Sequence, residues 1–109
     1  MQYKVYIASP YTMGDQALNV KEQFKYFNWL LQLGYIPFAP LTSHFIHMMF
    51  PQDYMTWINW DLKWVETCDI LLRLPGQSKG ADMEVEHAKK NNIPVVYSVA
   101  ELRDNYPTK

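Results

Sequence analysis

Along the chain, short runs of β-branched and aromatic residues take turns with longer stretches in which apolar residues return every three or four positions. Tyr3–Ala8 predicts a first strand, and Pro10 and Gly14 break the following stretch, Ser9–Asp15, into a loop. From about Asp15 to Leu33 the spacing of Leu18, Phe24, Phe27, Leu30 and Leu31 predicts a helix, with Gly34 as the glycine that closes it. Tyr35–Ala39 predicts a second strand, stopped by Pro40. Leu41–Phe50 fits neither period; it holds His44, His47 and two methionines, and Pro51 interrupts it. A second helix is predicted over Tyr54–Glu66, with Trp57, Asp61 and Trp64 near one face. Cys68–Leu74 is apolar enough for a strand buried on both faces. A loop over residues 75–80, a helix over Ala81–Asn91 and a strand over Asn92–Tyr97 follow, and the tail from Ala100 predicts a short helix or an irregular end.

Strands alternating with helices predict a parallel sheet with right-handed crossovers. Ligands of such sheets bind beyond the carboxyl ends of the strands, near the point where strand order reverses. Two segments rich in small polar residues follow strands, Ser9–Asp15 and Gly76–Asp82, and both fall where a site is expected. A length of 109 residues predicts one domain spanning the chain, with no repeat or linker. The net charge of −1 argues against nucleic-acid polymers and anionic membranes as partners, and no run reaches the ~18 apolar residues of a membrane span. The single cysteine, Cys68, and the lack of a signal-peptide pattern predict a cytoplasmic protein. Four Trp, eight Tyr and five Phe exceed the needs of a small core, which predicts a homodimer or larger assembly and a few rings beside a planar ligand.

The residues that can carry chemistry lie in three segments. In 78–88, a helix N-terminus with free N–H groups can hold an anion; Ser78 offers a hydroxyl, Gly80 allows close approach, and Glu84 sits about one turn in. Taken alone, Ser78 and Asp82 serve equally well as a cap and a dipole partner. Asp61 lies on an aromatic helix, where it is exposed beside Lys63 or else paired and used. Two carboxylates in an apolar pocket can divide the roles of nucleophile and proton shuttle. Tyr6, near the end of the first strand, can orient a carboxylate, although a core tyrosine is the commoner case. His44 and His47 lack a recognisable metal spacing, His87 reads as a solvated helix residue, and phosphate-binding and dinucleotide glycine motifs are missing, so neither metal nor cofactor is expected.

Together Tyr6-Ile-Ala-Ser-Pro-Tyr11, Asp61-Leu-Lys-Trp64 leading to Cys68-Asp-Ile-Leu-Leu72, and Ser78-Lys-Gly-Ala-Asp-Met-Glu84 followed by Ala88 and Ile93-Pro-Val95 resemble the nucleoside 2-deoxyribosyltransferase superfamily. The likeness is greatest to its short members, which include 2′-deoxynucleoside 5′-phosphate N-hydrolases, and it covers nearly the whole chain. With the alternation above it implies a three-layer flavodoxin/Rossmann-like α/β sandwich with a four- to five-stranded parallel sheet. It also implies cleavage of the N-glycosidic bond of a (deoxy)nucleoside 5′-monophosphate. Glu84 would be the nucleophile, Asp61 the sugar-contacting proton carrier and Tyr6 the residue that holds Glu84. Ser9, Pro10, Tyr11, His44, Ser78, Gly80 and Asp82 would hold the substrate, with Ser78 at the 5′-phosphate. Base exchange between nucleosides and non-catalytic nucleotide binding are the alternative activities. Two departures bear on this: the first loop carries Asp15 and no arginine, unlike the hydrolases, and residues 42–54 have no counterpart in them.

Overall fold

A computed structural model describes residues 2–108. Four strands, β1 (Lys4–Ala8), β2 (Ile36–Phe38), β3 (Ile70–Arg73) and β4 (Val95–Val96), form one parallel sheet in the order β2-β1-β3-β4. Between them run α1 (Gln16–Gln32), a single 3-10 turn (Pro40–Thr42), α2 (Ser43–Met49), α3 (Tyr54–Thr67) and α4 (Lys79–Lys90), and α5 (Val99–Asn105) follows β4. The alternation of the strands divides the core between two faces. Val5 and Ile7 of β1, with Ile70 and Leu72 of β3, pack under Leu30 of α1 and Val99 and Leu102 of α5. Tyr6 and Ala8, with Leu71, pack under Val65 of α3 and Ala81, Val85 and Ala88 of α4. The result is a three-layer α/β sandwich of flavodoxin-like strand order, in which the chain reverses direction across the sheet between β1 and β3. Among the described residues, no helix is long and apolar enough to cross a membrane.

Local chemistry explains most boundaries. The Asp15 carboxylate caps α1 by accepting from the Leu18 amide at 3.0 Å. At the other end, Gly34 takes a φ of +96°, its amide bonds Leu31 O and that of Tyr35 bonds Leu30 O, which is the Schellman closure a glycine makes cheap. All three later strands are shorter than expected, β2 and β3 by a residue or two at their ends, and two boundaries differ for a clear local reason. The helix predicted from Ala81 begins at Lys79, because the Ser78 hydroxyl accepts from the Ala81 amide at 3.1 Å and so starts the helix two residues earlier. The last strand is two residues long rather than six. Asn92 is left-handed (φ +59°), and beyond β4 the Tyr97 amide bonds Glu101 while the Ser98 hydroxyl caps α5, which takes the chain off the sheet. The ambiguous stretch after Pro40 resolves into the 3-10 turn and α2, whose one buried residue is Ser43.

The buried stripe of α1 also departs from the apolar spacing. Leu18 and Leu31 are exposed, Phe24 and Phe27 are half-buried, and the fully buried centre of the stripe is Gln23. Its amide nitrogen donates to Ser9 Oγ (2.8 Å) and Ile7 O (3.2 Å), and its Oε1 accepts from the Leu41 amide (2.9 Å). One side chain therefore ties the end of β1 to the 3-10 turn. Replacing it by leucine strands three buried polar groups, each costing about 1–3 kcal/mol. Gln23→Leu is expected to lower unfolding free energy by roughly 3 kcal/mol or more, read from urea denaturation.

Candidate active site

Beyond the carboxyl ends of β1 and β3, at the point where the strand order reverses, lies a cavity of about 400 Å³. Each of its walls belongs to a different element. The loop after β1 supplies Ser9, Tyr11 and Thr12. The 3-10 turn and α2 supply Leu41, Ser43, His44, His47 and Met48. From α3 come Tyr54, Trp57, Ile58 and Asp61, and from the start of α4 come Ser78, Gly80, Ala81 and Glu84. Ser78 is thus both cap and wall, the two roles that its segment left open.

At the floor, Tyr6, Glu84 and Asp61 meet. Alternation along β1 turns Tyr6 toward α4, where its buried hydroxyl donates to Glu84 Oε2 at 2.7 Å. Glu84 occupies the second turn of α4, since that helix starts early, and it is buried on the same face as Ala81, Val85 and Ala88, while Glu86 is exposed. Asp61 is buried on α3 with Ile58 and Val65, not exposed beside Lys63. Its Oδ1 has no hydrogen-bond partner among the described residues, a costly arrangement for a buried carboxylate oxygen unless a ligand uses it.

The electrostatics follow from this burial. Desolvation pushes the Asp61 carboxyl from 3.8 up to about 7, with hydrogen bonding to Glu84 working the other way. Desolvation also raises Glu84 well above the usual carboxylate range. The negative charge of Asp61 and hydrogen bonding to it add to the rise, and the Tyr6 hydroxyl and the Arg73 charge oppose it. Burial, then the Glu84 and Asp61 charges, raise the Tyr6 phenol, which therefore stays a donor. Two adjacent carboxyls that both resist ionisation hold a proton between them near neutral pH, and their titration belongs to the pair.

Not every expected residue reaches the cavity. Pro10 instead seats the β3–α4 loop: a Cβ on Gly76, which has a φ of +118°, would stand 2.7 Å from Pro10 Cγ. Asp82 faces out of the cavity and pairs with Arg73 at 3.1 Å. The buried Arg73 guanidinium also donates to Leu74 O and Gly76 O, so it shapes the loop that delivers Ser78 and Gly80. His87 is half-buried rather than solvated and meets Glu66 at 2.7 Å. His44 does line the cavity, with its Nδ1 2.6 Å from the Tyr11 hydroxyl. Sequence reasoning missed Gln23, Arg73 and His47. Arg73 ends an apolar strand, and that position is the one signal that pointed to it.

A family model described as "Domain of unknown function (DUF7768)" matches residues 3–98, a span that includes every element from β1 to β4 and the whole cavity. No curated protein matches the chain.

Proposed function

We propose that this chain, which belongs to the DUF7768 family, breaks the N-glycosidic bond of a nucleoside or nucleoside 5′-monophosphate through Glu84. The observation that carries this reading is the buried Tyr6–Glu84–Asp61 group on the floor of a cavity at the switch point of a parallel sheet. The Tyr6 hydroxyl donates to Glu84 and opposes the rise in its pKa, so it stabilises the reactive one-proton form of the pair, with Glu84 ionised and the proton on Asp61. Glu84 then attacks the anomeric carbon of an oxocarbenium-like transition state. The C–N bond breaks, its electron pair leaves with the base, and Asp61 supplies the proton. The glycosyl ester on Glu84 is released by water, whose proton returns to Asp61, or by a second base.

The lining favours a substrate without a phosphate. None of the described residues that line the cavity is lysine or arginine, and Arg73 is engaged elsewhere. The cation-free wall and the carboxyl pair resist a phosphate dianion, and the amides at the start of α4 offset that only in part. Incubating the protein with the common ribo- and deoxynucleosides and their 5′-monophosphates, with and without an added free base, separates the cases. Free base reports hydrolysis and new nucleoside reports exchange. Binding without either product would support the non-catalytic alternative.

The reading includes a homodimer or larger assembly. Phe45, Ile46, Met49 and Phe50 of α2 and the turn after it, with Met55 of α3, are each exposed, a run of large apolar side chains that an interface would cover. Sedimentation at micromolar concentration is expected to give a mass of at least two chains, and Phe50→Glu is expected to shift it toward one.

A further inference from the structure

His47 lies outside the catalytic floor, and its hydrogen bonds determine which of its ring nitrogens carries the proton. Its Nδ1 faces two groups that can only donate: the Trp57 indole N–H at 2.9 Å and the Gln52 backbone N–H at 3.1 Å. Nδ1 must therefore be the lone-pair nitrogen, and the proton of the neutral ring sits on Nε2. The ring stands edge-on to Trp57, with centroids 6.2 Å apart at 71°. Both residues line the cavity, together with Met48, Leu41 and Ile58. That wall is apolar and partly aromatic, and the His47 Nε2–H is a donor whose direction is locked by its neighbours.

We infer that His47 is a specificity-determining residue that donates from Nε2 to an acceptor, a ring nitrogen or carbonyl, on the edge of a planar heteroaromatic base packed against Trp57. This rests on the nucleoside reading above and adds to it the group that reads the base. A donor fixed in this way rejects a base whose facing atom is C–H or N–H, because the N–H, once covered by that base, is left without a partner.

Two measurements test this. NMR of isotope-labelled ring nitrogens in the unliganded protein is expected to show His47 protonated at Nε2 alone, and the opposite tautomer would overturn the inference. Calorimetric binding then uses the Glu84→Gln protein, in which turnover does not consume the ligand. The four common deoxynucleosides are titrated first. For each one that binds, analogues follow in which one base acceptor at a time is replaced by C–H. Loss of one particular acceptor is expected to weaken binding by about tenfold. Adding His47→Phe is expected to abolish that discrimination, and Trp57→Phe, which keeps a ring surface but frees Nδ1, to blunt it. Discrimination that persists unchanged in His47→Phe would sink the role of His47 and leave the glycosidic reading standing. Failure of these nucleosides, of the common ribonucleosides and of the 5′-monophosphates of both to bind would sink that reading as well.

Discussion

Glu84→Gln is expected to lower base release from any accepted nucleoside by at least ~10^4-fold, as loss of a covalent nucleophile does, with little change in Tm. Glutamine is the informative replacement because Glu84 is buried and accepts the Tyr6 hydroxyl. The amide oxygen keeps that bond and the volume, whereas Glu84→Ala would leave a void and a stranded phenol, and would confuse lost chemistry with lost fold. Chromatography of free base and a thermal melt on the same sample check the two halves. Glu86→Gln serves as the control, since that exposed carboxylate faces away from the cavity and its loss is expected to leave the rate unchanged. A full rate in Glu84→Gln would remove the nucleophile from the scheme.

The second large effect is a change of opposite sign in activity and stability. Asp61 has a folded value of about 7 against an ordinary 3.8, so the folded state holds its proton more tightly than the unfolded chain does. Its favourable contribution is complete below about pH 4 and is lost as the pH rises through about 7. At about 1.4 kcal/mol per unit, the loss over that window is on the order of 4 kcal/mol. Asp61→Asn cannot ionise. It is therefore expected to be more stable than the parent at pH 8 and to show no such gain at pH 4, measured by denaturant unfolding at the two pH values. The same change removes the proton that the departing base needs, and base release is expected to fall by about 10^2–10^4-fold. A variant that is less stable than the parent at pH 8 would show that the buried Asp61 charge is compensated by something other than its neighbours here.

In the unsubstituted protein, the acid limb of the pH–rate profile reports protonation of the whole pair and the alkaline limb reports loss of the shared proton. Activity is therefore expected to rise as the pair loses its first proton near pH 7, to peak while one proton remains, and to decline as the second leaves.

Much of this arrangement was legible in local sequence. A strand places alternate residues on opposite faces and a helix places every third or fourth residue on one, so the single face that Tyr6 takes and the turning of Glu86 away from Glu84 follow from two periods alone, while the contact of Tyr6 with Glu84 was an expectation of the resemblance. The parallel order, the two loops beyond the strand ends and the closure at Gly34 are likewise local properties of β-branched runs, polar breakers and a left-handed glycine. Tertiary structure alone decided what each polar side chain meets. Asp61 and Asp82 are both helix aspartates near the proposed site, yet one is buried with no partner for Oδ1 among the described residues and the other is held outside by Arg73. Gln23 occupies a stripe that the apolar spacing assigned to leucine and phenylalanine, because main-chain groups from β1 and the 3-10 turn converge on it. Burial and hydrogen-bond partnership depend on groups distant in sequence, so no window along the chain contains them; periodicity reports the face a residue takes and is silent on what that face meets.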